Sequence, residues 1–183
     1  MLLFAHPGIT LGAATLLADA VNRRLSWFAS LSRYLDIRWL LIGSLLPDII
    51  DKPVGQYIFR DTFNNGRIFT HTLLFLIMIS AVGIFLYKKQ RKTWLLALTA
   101  GTFTHLLLDE IWQTPVTLFW PLLGFSFPPV ELEGWASNIW SVLFSDPRVY
   151  IPEIIGLLIL LVLGVYLIKK RGFVTFLKRG KVS

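Results

Sequence analysis

The sequence predicts an all-α protein, an integral membrane helical bundle of about five helices, and three observations support this fold class. Hydrophobic residues make up 55% of the 183 residues. Charged residues make up 16%, against about 25% in soluble domains. Long apolar stretches alternate with short basic segments, as in membrane-spanning bundles. This composition excludes a disordered chain and does not suit an ordinary soluble globule.

Five segments are candidate helices of a single domain that covers residues 1–183. Residues 8–21 and 34–50 are weak as isolated spans, and we expect them to pack inside the bundle. Residues 68–87 contain no Lys, Arg, Asp or Glu and are long enough to cross about 30 Å. Residues 93–108 and 150–168 complete the set. The connection at 110–149, rich in Pro, Trp and Phe, predicts a long extracytoplasmic loop that caps the bundle.

The basic residues predict how the chain is oriented in the cell membrane. The net charge is +7, and the cations flank apolar runs, which favours anchoring to the lipid bilayer over nucleic-acid binding. If the first helix runs inward and the chain then alternates, fourteen of the eighteen Lys and Arg residues lie on the inner side. Cationic loops are difficult to translocate, so we expect the N-terminus outside and the C-terminus in the cytoplasm.

Two of the three histidines are predicted to meet at the outer end of one helix pair. The basic turn between residues 68–87 and 93–108 is centred near Gln90. His71 lies nineteen positions before Gln90 and Asp109 nineteen after it, while His105 and Asp109 are four residues apart. Equal rise per residue places His71 level with Asp109 and within about one turn of His105.

His6 and Asp48 fall at the same outer side, at the start of the first helix and the end of the second. Ionisable groups near the hydrocarbon are costly, so their convergence indicates function, with polar packing between helices as the alternative. Imidazole and carboxylate ligands without cysteine suit zinc first, with manganese or iron as alternatives. The sequence therefore predicts a site for a divalent metal on the extracytoplasmic side.

Ordered motifs in the first two thirds of the chain resemble a known family. They are HPG at 6–8, GSLLPD at 43–48, RIFTH at 67–71, THLLLD at 104–109 and WP at 120–121. This order resembles the membrane-bound metal-dependent hydrolase family that is called YdjM-like. The succession of His, Asp, His and HxxxD is also similar to the zinc-dependent phospholipase C and nuclease superfamily.

The resemblance implies a ligand set. Asp48, His71, His105 and Asp109 would hold one ion, and His6 together with Asp109 would contribute to a second. No histidine follows His105, so the superfamily's third ion is not expected here.

The predicted activity is hydrolysis of a phosphoester on a lipid or lipid-linked substrate at the outer face. Asp48 or Asp51 is the expected base. Arg67, one turn before His71, either binds the substrate phosphate or extends to the interface. Lys52 and Arg60 carry the same ambiguity.

Two other functions stay open at the level of sequence. One is a metal-binding structural or regulatory membrane protein that turns nothing over. The other is an ion or proton transporter, which should carry polar residues deep in its spans. Residues 73–86 contain only Ser80 as a polar residue, which disfavours the transporter.

Overall fold

The computed structural model of the protein describes residues 3–23, 28–128 and 143–182, and within these ranges the chain forms helices and no strands. An all-α fold is therefore confirmed. The helices are α1 (Ala5–Asn22), α2 (Phe28–Tyr34), α3 (Ile37–Pro53), α4 (Leu73–Gln90), α5 (Trp94–Leu108), α6 (Pro115–Leu118), α7 (Pro147–Lys169) and α8 (Phe173–Arg179). Short helical turns occupy Val54–Ile58, Phe69–His71 and Ile111–Gln113.

The helices α1, α3, α4, α5 and α7 correspond to the five segments predicted from sequence. Their neighbours in space show that they alternate in direction. His6 at the start of α1 meets Asp109 at the end of α5, while Trp39 near the start of α3 packs on Trp94 at the start of α5. The bundle thus has a histidine end, which carries His6 and Asp109, and a basic end, which carries the turn at 88–92.

Two of these helices are long and apolar enough by themselves to cross a membrane, namely α4 and α7. The helix α5 is apolar but shorter. Large apolar side chains on α4 and α7 are exposed, among them Ile77, Met78 and Ile154. In a bilayer, such faces lie against lipid.

The segment before α4 differs from the sequence prediction, which began a helix at residue 68. The helix starts at Leu73 because the Thr72 hydroxyl accepts the Phe75 N–H at 3.1 Å and caps it. His71 therefore lies in a separate turn ahead of the helix rather than within it.

The backbones of helices α3 and α5 approach each other closely where the two helices cross, because glycines lie at the crossing. A Cβ on Gly43 would lie 2.1 Å from the Leu98 carbonyl oxygen, and one on Gly101 would lie 2.2 Å from that of Leu40. Pro47 has no N–H to donate to the Gly43 carbonyl one turn earlier, and the Thr102 hydroxyl donates to that carbonyl instead (3.2 Å). This crossing fixes the register of α3 against α5.

The hydrophobic core lies toward the basic end, where α2 and α8 pack; the sequence did not predict either helix. Leu40, Phe28, Leu163 and Val182 are among its buried residues. The C-terminal segment is attached there by polar contacts: the Arg38 guanidinium donates to the Leu177 carbonyl oxygen and to Asp36.

The long connection after α5 is described only in part. Residues 110–128 fold back over the histidine end, where Trp120 stacks on Phe127 and both rings contact Phe69. Residues 129–142, the remainder of the predicted loop, lie outside the described residues.

Candidate metal centre

His105 is held in one orientation by the crossing of α3 and α5. It lies in the last turn of α5 and is fully buried. Its Nδ1 lies 2.7 Å from the backbone carbonyl oxygen of Ser44. A carbonyl can only accept, so Nδ1 carries a proton, and in the neutral ring Nε2 presents a lone pair.

His71 is oriented by Asp51. His71 Nδ1 lies 2.7 Å from Asp51 Oδ2, and both residues are fully buried. The same carboxylate accepts the backbone N–H groups of Ile68, Thr70 and His71 at 2.8–3.2 Å. Asp51 therefore fixes the turn that carries His71, and His71 Nε2 is left as the free acceptor.

Four side chains converge where the two imidazoles meet. The Nε2 atoms of His71 and His105 lie 3.3 Å apart. Asp48 Oδ1 lies 3.8 and 3.9 Å from them, and Asp109 Oδ2 lies at the same two distances. One ligand atom from each of the four residues lies within 4.8 Å of every other.

This arrangement fits a divalent ion. Two imidazole lone pairs that face each other in a buried site repel unless a proton or a metal ion lies between them. Ligand atoms at about 2.0 Å from a tetrahedral zinc ion are about 3.3 Å apart, which matches the separation of the two Nε2 atoms. The outer hydrogen bonds to Asp51 and Ser44 are the kind that orient histidine ligands in metal sites.

His6 lies beside the four-residue cluster, on the far side of Asp109. Its ring stacks on His105 with centroids 4.1 Å apart, and its Nε2 approaches Asp109 Oδ1 to 3.3 Å. Among the described residues neither ring nitrogen of His6 has a hydrogen-bond partner, although the side chain is fully buried. Asp109 thus offers one oxygen to the cluster and the other toward His6.

Two cations pair with the carboxylates of the cluster. Lys52 Nζ lies 2.6 Å from Asp48 Oδ2, the oxygen directed away from the imidazoles. An Arg67 Nη atom lies 2.9 Å from Asp109 Oδ2, the oxygen that also faces the imidazoles. Burial by itself disfavours the charged form of Asp109, but the approach of His6 and the Arg67 guanidinium holds the pKa of this carboxyl well below its usual range. Both cations are partly exposed, so they lie between the cluster and the surroundings.

The structure brings together six of the seven site residues predicted from sequence: His6, Asp48, His71, His105, Asp109 and Arg67. The seventh, Asp51, contacts His71 on the side of the ring away from the cluster, which favours a positioning role over that of a base. Arg60 lies in an exposed turn. Sequence reasoning missed the Ser44 carbonyl, because a backbone acceptor leaves no side-chain pattern to recognise.

The fold and site define a class: an all-helical membrane protein with a buried His/Asp cluster that could bind a metal ion at one end of its bundle. The profile of one family, the YdjM inner membrane proteins, matches residues 1–174, and the chain belongs to this family. No curated protein and no solved structure matches the chain. The likeness to the zinc-dependent phospholipase C superfamily has no support from these comparisons and stays a prediction.

Proposed function

We propose that the protein is a membrane-embedded metal-dependent hydrolase that cleaves a phosphoester on a lipid or lipid-linked substrate at the extracytoplasmic face. One observation carries the metal part of the proposal: two buried histidines direct their free Nε2 atoms at each other across 3.3 Å. Asp48, His71, His105 and Asp109 would hold one ion, and His6 with Asp109 would contribute to a second. The ligand set favours zinc, with manganese or iron as alternatives.

The side chains around the cluster suit a phosphoester. When bound, a divalent ion supplies Lewis-acid polarisation of a phosphoryl oxygen and activation of a water. Arg67 and Lys52 lie at the edge of the cluster with donors that a phosphate could accept from. The Asp48 side chain is 13% exposed, whereas Asp51 is fully buried, so Asp48 is the better candidate for accepting a proton from water.

The position of the cluster favours a substrate that lies in the membrane. It lies at one end of a bundle whose helices α4 and α7 expose apolar faces, level with helix ends rather than in a separate soluble domain. A water-soluble substrate would not require such an embedded site. We place this end on the extracytoplasmic side because the basic turn and the basic C-terminal segment lie at the other end.

A turnover assay tests the proposal. Purified protein loaded with Zn²⁺ or Mn²⁺ should release phosphate or a phosphorylated headgroup from phosphatidylglycerol or polyprenyl phosphate in vesicles. Asp48→Asn and His105→Ala should abolish release, while Asp61→Asn, which alters an exposed acid in the loop between α3 and α4, should leave it unchanged. Metal-loaded protein that turns over no such lipid would contradict the hydrolase.

A non-catalytic metal site is the second candidate, and burial favours it. All three histidines are fully buried, as is common where an ion joins helices rather than meets a substrate. The cluster residues come from α3, α5 and the turn at Phe69–His71, so an ion there would cross-link them. In that case, His105→Ala would lower the unfolding temperature, and the wild-type protein would hydrolyse none of the lipids.

A further inference from the structure

An apolar groove runs along α1 and α5, from Thr10 and Thr104 near the candidate metal centre toward the basic end. Its volume is about 430 Å³. Small and apolar side chains line it, including Ala13, Ala14, Ala18, Leu40, Ala100 and Phe103. The side chains of Leu40 and Ala18 are buried in its floor, whereas Leu17 and Val21 at its rim are 69% and 75% exposed. The groove is thus open along the side of the bundle.

The upper end of the groove lies within about one helical turn of the cluster, and no cluster residue lines it. It is lined there by Thr10, one turn along α1 from His6, and by Thr104, the residue before His105. Their hydroxyls are hydrogen-bonded to each other at 2.8 Å. Because these polar groups already satisfy each other, the groove offers little to a polar ligand and much to a hydrocarbon.

The length of the groove corresponds to one leaflet. From Thr10 to Val21 the chain of α1 rises about 16 Å. Half of a bilayer's hydrocarbon core is about 15 Å thick. At the lower end lies Tyr34, whose hydroxyl donates to Asn22 Oδ1 at 2.9 Å. A lipid whose headgroup lay at the histidine end would therefore have its tail beside this groove.

We infer that this groove binds one hydrocarbon chain of the substrate and so selects lipids with a long tail over short-chain phosphoesters. The inference rests on the proposed function for the phosphoester headgroup, while the tail site follows from the groove itself. The tail would enter between α1 and α5 from the bilayer, and its first carbons would lie beside Thr10 and Thr104.

Photolabelling tests the tail site independently of turnover. The probe is hexadecyl phosphate with a diazirine at the end of its tail, added to the full chain in detergent micelles. We expect labelled peptides from the lower end of the groove, around Ala18 and Val21 on α1 and around Tyr34. Unlabelled hexadecyl phosphate should displace the probe and butyl phosphate should not.

Filling the groove with Ala14→Phe, or with Ala13→Phe at its exposed rim, should weaken probe binding at least about tenfold. This change corresponds to the loss of about two buried methylene groups. Ala81→Phe, at an exposed position of α4, a helix that does not line the groove, is the matched control.

Each outcome separates the tail site from the hydrolase. A phosphatidylcholine with a diazirine at the end of its tail reports ordinary contact with lipid. If it labels the same peptides equally well and hexadecyl phosphate does not displace it, the tail site is overturned. Unchanged probe binding in both groove variants would do the same. Displaceable labelling without release of phosphate from any substrate would retain the tail site and reject the hydrolase. If turnover occurs, a kcat/KM that is equal for hexadecyl and butyl phosphate would overturn the selection for long tails.

Discussion

Apart from the buried Asp19 in α1, the two ends of the bundle differ in how far their charges are buried. At the histidine end, Asp51 is fully buried and the side chain of Asp109 is 5% exposed, and both contact histidines. At the basic end, Lys88 and Lys89 are exposed, and the Arg38–Asp36 pair is partly open to its surroundings. Buried charge is costly unless it is paired or coordinates a metal. The buried, paired charges of the histidine end suit a cation site, whereas the exposed cations of the basic end suit contact with a membrane surface.

The comparison predicts an all-or-none difference in accessibility across the membrane. The chain has no cysteine, so Asp61→Cys near the histidine end and Gln90→Cys at the basic end each introduce a single thiol. Asp61→Cys should react with an impermeant thiol reagent in intact cells, and Gln90→Cys should react only after permeabilisation. The opposite pattern would invert the proposed topology and move the site to the cytoplasmic side.

Removing the charge that orients His71 should produce the next largest effect. Asp51→Asn replaces one carboxylate oxygen with an amide NH2 group, which cannot accept hydrogen bonds. The carboxylate accepts from the backbone before α4 and from the His71 ring. We expect the affinity for Zn²⁺ to fall by about 10–100-fold, measured by competition with a chelator. Asp61→Asn serves as the control. An unchanged affinity in Asp51→Asn would mean that His71 is not a ligand held through this contact.

The helix crossing that supports the site should be sensitive to a single methyl group. Gly43→Ala places a Cβ against the Leu98 carbonyl, and the overpacking should destabilise the protein by about 1–3 kcal/mol. Gly164→Ala has open space around the new Cβ and should be neutral or stabilise α7 by up to about 1 kcal/mol. Thermal unfolding in detergent measures both. Equal stabilities would contradict the close approach of α3 and α5.

The smallest effect is expected at the basic end. Arg38→Met removes an ion pair whose side chains are 29% and 16% exposed, and it also removes the hydrogen bond to the Leu177 carbonyl oxygen. Exposed contacts of these kinds contribute about 1 kcal/mol each, so the unfolding temperature should fall only slightly and metal affinity should not change. A large loss of metal affinity in Arg38→Met would show that the two ends are coupled rather than separate.

The sequence predicted the helices and the meeting of the site residues because both depend on regular spacing. An antiparallel pair with equal rise brings His71 and Asp109 to one level, and their side chains lie 3.8 Å apart. The apolar runs likewise predicted α4, α5 and α7, apart from the first residues before α4.

The outer contacts of the site could not be predicted, since they come from irregular geometry. The Ser44 carbonyl reaches His105 because the glycines at the crossing bring α5 close to α3. Asp51 reaches three backbone N–H groups because residues 68–71 form a turn rather than the start of α4. Helix α2 and the packing of α8 depend on long-range contacts that no local pattern reveals.

The metal content of the purified protein tests the central claim most directly. Elemental analysis should find a bound divalent ion in the wild type after dialysis, and His71→Ala and His105→Ala should lose it while circular dichroism shows that they keep their helices. Lys89→Ala, at the exposed basic end, should retain it. A folded wild-type protein that binds no divalent ion, or histidine variants that both keep their full metal content, would contradict the account.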